Sequence, residues 1–178
     1  MNLEKLFKIQ AELVDHIEEN HPRQDGEDRL EKKILALQVE LGELANELPE
    51  VFKFWSNKKN NYEKALKEYV DGLHFILDIG LELGIGSKDI KVENDYRGDT
   101  PTETFNLLFS YISNLRTFIF DVTIPATITN EDIKELYHEL FECFVGLGEI
   151  DLGFTWEQIE NAYLEKNKIN HERQESGY

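Results

Sequence analysis

The 178 residues carry 36 acidic and 19 basic side chains, a formal charge of −17, with 40% apolar residues and one cysteine. That balance argues against binding nucleic acid or an anionic membrane through a general positive surface, although a few local cations or metal ions can still hold a small phosphorylated ligand. Cys143 alone allows neither an intrachain disulfide nor a zinc cluster, and a reduced, cytoplasmic setting is expected.

The opening MNLEKLFKIQAELVDH is too charged for a secretory signal. No apolar run approaches the roughly 20 residues that a membrane span needs. Helical periodicity dominates and strand-like alternation is scarce, so the expected fold class is all-α. A first helix is predicted over Leu3 to Asn20, with Leu3, Leu6, Phe7, Gln10, Leu13, Val14 and Ile17 on one side, broken by Pro22 and Gly26. A second starts near Asp28, where Asp28 and Glu31 resemble a capping box, and runs to about Leu48 before Pro49. The polar SNKKNN separates it from a third, about Tyr62 to Leu83, which the glycines of LGIGS end. After a polar link, Thr100 caps a very apolar fourth helix that has Pro101 at its first position and continues through Phe120. DVTIPATIT reads as irregular or briefly extended. Thr129 or Asn130 caps a fifth helix to about Gly148. A sixth opens at Phe154, with Thr155 as cap, Gln158 completing the box and Phe154 stapling to Ile159. The polar KNKINHERQESGY closes the chain as a tail. One domain over 1–178 is expected.

Two of these helices carry the chemistry. Ile34, Leu37, Leu41, Leu44 and Leu48 form one apolar stripe, and Glu40, Glu43 and Glu47 border it. Gly42 leaves one side bare, which favours a close neighbour. In the third helix Glu68 and Asp71 are three apart, with Asp78 and Glu82 further along the same face. No Lys or Arg occurs between Lys33 and Lys53, or between Lys67 and Lys88. Acidic residues are common here, so one E-x-x-E alone reads as a solvated face. Two such helices, each apolar and each without cations, need something to offset their like charges, which cost roughly 0.2–0.5 kcal/mol per helical pair. Hard divalent cations do this with oxygen ligands, and Mg²⁺ combines one or two carboxylates with waters and substrate phosphates. GLELGIGSKD fails the Walker pattern because its Lys follows the Ser. Cys143 reads as packing, and His138 and His171 lack metal-ligand spacing.

VELGELANE, FKFWS, EYVDGLHFIL and the terminal KNKINHERQESGY together resemble the dimeric all-α dUTPases, within the wider group of all-α nucleoside triphosphate pyrophosphatases that includes the MazG-like enzymes. The resemblance covers Leu3 to Glu82 and Tyr163 to Tyr178. It implies a four-helix core of about 1–90 plus 155–178 with an added helical layer of about 94–151, homodimerisation, and hydrolysis of dUTP to dUMP and pyrophosphate, limiting uracil in DNA and supplying dUMP for dTTP synthesis. It also implies Mg²⁺ at Glu40, Glu43, Glu68 and Asp71, with Glu43 helping to orient and deprotonate the attacking water. His74 would hydrogen-bond the 3′-hydroxyl of the sugar, and Trp55, beside Phe54, would flank the uracil ring. Gln10 would read the base, donating to a ring carbonyl or accepting from N3–H. Lys166, Asn170, Arg173 and Tyr178 would close over the nucleotide from the tail, with Lys166 and Arg173 on phosphate. The alternatives are a MazG-like pyrophosphatase with another base preference, such as dCTP, and a non-catalytic acidic helical protein that binds a basic partner.

Overall fold

A computed structural model describes residues 2–121 and 128–177 of the chain. Among the described residues there are seven α-helices and no strand. They are α1 (Leu3–Asn20), α2 (Arg29–Glu47), α3 (Pro49–Phe52), α4 (Tyr62–Glu82), α5 (Pro101–Phe120), α6 (Asn130–Gly146) and α7 (Trp156–Ser176). A single π-helical turn, Leu147–Asp151, extends α6.

The starts follow local hydrogen bonding. Asp28 accepts from the Glu31 amide, Thr100 from Glu103, Thr129 from Asp132 and Thr155 from Gln158, each satisfying an amide that the helix leaves unpaired. Thr129 and Thr155 belong to full capping boxes. Two elements are additions to the sequence reading. Pro49 ends α2 but also sits at the first position of the short α3, where its missing N–H is no loss. The π turn widens where Gly148 lies under Tyr69; a Cβ there would meet that ring at 2.4 Å. Most of DVTIPATIT lies outside the described residues.

The terminal segment departs from the expected tail. Lys166 to Ser176 continue α7 without a break, and Gly177 ends it at φ 72°. Lys166 pairs with Asp71 of α4 and His171 meets His16 of α1, so the segment's order comes from tertiary contact, which a polar sequence does not advertise.

Helices α1, α2, α4 and α7 form the four-helix core, with α4 touching the other three. Leu41, Leu44, Leu73, Leu77 and their neighbours fill it. The predicted stripe of α2 is buried throughout, and truncating Leu41 to Ala would cost about 3 kcal/mol. Gly42, by contrast, faces open space. The α5–α6 pair closes the other side of α4 and shares the same apolar core. Phe144 stacks on Tyr69 at 4.4 Å, and the Tyr137 hydroxyl donates to the Ile76 carbonyl at 2.9 Å. Gly72 and Gly80 let those two rings reach α4. Helix α5 buries one face, including Phe105, Leu108, Ile112 and Leu115, and leaves Phe109, Tyr111 and Phe118 to Phe120 partly covered. It is therefore neither a wholly internal helix nor a surface one.

Candidate active site

Helices α2 and α4 lie antiparallel, as their charged pairs show. Lys33 meets Asp78 and Glu82 at one end, and Glu47 meets Lys64 at the other. Between those ends the carboxylates of Glu40, Glu68 and Asp71 converge, each offering an oxygen within 4.8 Å of the others. All three are half-buried. Glu43, placed with them by the sequence reading, is exposed and stands outside this triad, yet its charge reaches all three.

Crowding shows in the titration of the triad. Burial foremost, then the charges of Asp71, Glu43 and Glu68, push Glu40 up to about 7. Glu68 is raised by burial and then by Asp71 and Glu43. Asp71 is also raised by burial, against the pull of Lys166, whose Nζ donates to Asp71 Oδ2 at 2.5 Å. The other oxygen, Asp71 Oδ1, is buried without a hydrogen-bond partner. Three convergent carboxylates, one lysine and an orphaned carboxylate oxygen fit a hard divalent cation with oxygen ligands.

Glu40 and Asp71 border a cavity of about 230 Å³ between α1, α4 and α7. Gln10, Leu13 and Ile17 come from α1; Asp71, His74, Phe75 and Asp78 from α4; Lys166, Asn170, Arg173 and Gln174 from α7; and Glu40 from α2. The structure thus brings Gln10, His74, Lys166, Asn170 and Arg173 together beside the acids, as expected. Periodicity explains the α7 set: Lys166, Asn170 and Arg173 recur at spacings of four and three on one face.

Among the described residues, one expected aromatic stands elsewhere. Trp55 is 66% exposed on the segment after α3, edge-on to Phe54 and Phe52, and does not line this cavity. Tyr178 lies outside the described residues.

His74 and Gln10 are more constrained than their types suggest. Gln10 Oε1 contacts His74 Nδ1 at 2.8 Å and accepts from the Tyr163 hydroxyl at 2.7 Å. The Tyr163 ring stacks on the imidazole at 4.0 Å. Burial pulls His74 down to about 3, with the Lys166 charge adding to the fall and the Tyr163 backbone opposing it. The imidazole is therefore neutral at any physiological pH.

A family model described as dUTPase matches residues 2–178. The chain belongs to the dUTPase family. Its reaction is dUTP hydrolysis, releasing dUMP and pyrophosphate, so the reading as a non-catalytic acidic protein falls away. No curated protein matched the chain significantly. Among the described residues, no helix of this dUTPase is long and apolar enough to cross a membrane.

Two polar residues of the cavity wall, Asp78 and Gln174, and Tyr163, which contacts the lining residues Gln10 and His74, were not singled out for the site by the sequence. Asp78 was seen as acidic, but its ion pair with Lys33 spans 45 residues of sequence. Gln174 Oε1 is buried and unpartnered in the cavity wall. Tyr163 carried a usable signal, since it precedes Lys166 by three residues on one helix face.

Proposed function

We propose that this dUTPase works with Mg²⁺ held by Glu40, Glu68 and Asp71, with Glu43 at the rim, as a cytoplasmic homodimer. The observation that carries this reading is the triad itself: three carboxylates within 4.8 Å, one with a buried unpartnered oxygen, two of which (Glu40 and Asp71) line a cavity that Lys166, Asn170 and Arg173 also line. When bound there, Mg²⁺ would neutralise triphosphate charge and ease deprotonation of the attacking water.

The chain's own groups do the rest. Glu43, exposed beside the triad, orients the water and takes its proton. Lys166 neutralises Asp71 in the ligand-free protein, and it would be free to donate to a phosphate oxygen with Asp71 engaged in holding a cation. Arg173 holds phosphate from the next turns of α7, where a guanidinium can donate twice. Asn170 contacts the sugar or base, and Tyr178 closes the terminal motif behind it. Neutral His74 accepts from the 3′-hydroxyl, and the ring of Phe75 beside it crowds a 2′-hydroxyl. Gln10 reads the uracil. Trp55 flanks the ring once the exposed segment after α3 moves over it, or when a second protomer brings its own copy. Cutting dUTP in this way keeps uracil out of DNA and supplies dUMP for dTTP synthesis.

Pyrophosphate release from a panel of nucleoside triphosphates, with and without Mg²⁺, tests the proposal. Release from dUTP that collapses without the metal is expected. A preference for dCTP would favour the MazG-like alternative, and metal-independent release would sink the triad as the cation site.

A further inference from the structure

Three buried side chains from three helices meet at one oxygen. Gln10 of α1 is 3% exposed, His74 of α4 is 5% and Tyr163 of α7 is 0%. Their shared atom is Gln10 Oε1, with the Tyr163 hydroxyl at 2.7 Å and His74 Nδ1 at 2.8 Å. A carbonyl oxygen has two lone pairs, and these two contacts use both. We propose that Tyr163 is a positioning residue that fixes the hydrogen-bond polarity of the substrate pocket, leaving Gln10 only able to donate to the base and His74 Nε2 only able to accept from the sugar. The inference rests on the placement of the base and sugar beside Gln10 and His74 given above.

The hydroxyl proton of Tyr163 makes the choice. In the observed orientation Tyr163 donates to Oε1, so His74 must hold its proton on Nδ1 to donate as well. Its Nε2 is then a bare acceptor, and that atom is buried without a partner. The Gln10 amide nitrogen also makes no hydrogen bond among the described residues, and Gln10 and His74 both line the cavity. Turning the Gln10 amide over would reverse everything: Gln10 would accept from the base, and His74 would carry its proton on Nε2. That arrangement strands the Tyr163 hydroxyl proton in the interior, because the hydroxyl has no other hydrogen-bond partner among the described residues. The ring stack at 4.0 Å and 14° keeps the imidazole in place meanwhile.

The polarity has a consequence for base choice. At ring position 4 uracil presents a carbonyl, and cytosine an amino group. A donor-only Gln10 satisfies the first and opposes the second. Tyr163 thus acts on base specificity through Gln10 without touching the nucleotide.

Two measurements test this on the full-length protein. The ¹⁵N shifts of the His74 ring in the ligand-free protein report its tautomer; Nδ1–H is expected, and Nε2–H would overturn the proposal. This readout needs no turnover, so it judges Tyr163 even if the site assignment is wrong. Tyr163→Phe keeps the ring and removes the proton. Its preference for dUTP over dCTP, as a ratio of kcat/KM, should fall about 10-fold, the size of one lost hydrogen bond. That loss should lie mainly in KM for dUTP. An unchanged ratio in a folded variant would also overturn the proposal. A wild type that binds no uracil nucleotide, while His74 shows Nδ1–H, would instead sink the site assignment.

Discussion

The seam between α2 and α4 solves the same electrostatic problem in two ways. At one end Asp78 and Glu82 are neutralised from within the chain. Lys33 donates to both, at 2.9 and 2.6 Å, and Arg23 makes a bidentate pair with Glu82 at 2.7 and 2.8 Å. Along the same two helices, two turns away, Glu40, Glu68 and Asp71 meet Lys166, which pairs with Asp71, while the charge of Arg173 also reaches Asp71. The first cluster is closed and serves stability. The second gathers three carboxylates, with the charge of Glu43 beside them, around one paired lysine, and that crowding is what a divalent ion fits. Acidic residues on adjacent helices therefore do not define a metal site; the local shortage of cations does.

The sharpest way to break this contrast is at the triad. Asp71→Asn or Glu68→Gln should lower kcat/KM for dUTP in Mg²⁺ more than about 100-fold, beyond the usual effect of an outer-shell change. The metal-free variants should be no less stable than wild type, because repulsion has been relieved. A loss of both activity and stability would mean that the two ends of the seam are alike. At the other end Lys33→Met leaves Asp78 buried without its partner and should cost about 3 kcal/mol in urea denaturation. Adding Asp78→Leu should recover most of that loss.

Metal addition sharpens the comparison further. With Mg²⁺ at about 100 times its dissociation constant, wild type should gain about 2.7 kcal/mol, and Asp71→Asn much less, by thermal unfolding. Lys33→Met should gain as much as wild type does.

The smallest effect is the opposite pH dependence of the two ends. Glu82 is held down to about 2 by its hydrogen bonds from Arg23, below its ordinary 4.5. Its folded pKa is depressed, so its stabilisation is present above pH 4.5 and lost as pH falls toward 2. Glu40 is raised to about 7. Its contribution is fully present below pH 4.5 and lost as pH rises through 7 in metal-free protein. Melting temperatures from pH 3 to 8 for wild type, Glu82→Gln and Glu40→Gln would separate the slopes. Like signs at the two ends would contradict the comparison.

Much of the fold was legible because local signals agreed. Asp28, Thr100, Thr129 and Thr155 each cap the helix that their sequence context predicts, and the α2 stripe is buried as its period requires. The approach of Glu40, Glu68 and Asp71 was legible because apolar neighbours placed them next to the core on two helices with long cation-free stretches. What was hidden depends on contacts distant along the chain. The Lys33–Asp78 pair and the Tyr163–Gln10 hydrogen bond join residues that no periodicity relates. The α7 terminus looked like a tail because its order comes from docking on α1 and α4. The exposed position of Trp55 also escaped, since aromatic residues such as Phe54 and Trp55 are ordinarily core groups and only the resemblance gave Trp55 a stacking role.

The continuous α7 has an energetic corollary. Lys166, Asn170 and Arg173 already stand on a formed helix, so their backbone surrenders little conformational entropy when a nucleotide arrives. Affinity is spared the penalty of a coil-to-helix transition, and calorimetry should record only the modest negative heat-capacity change of a small ligand entering a ready-made cleft.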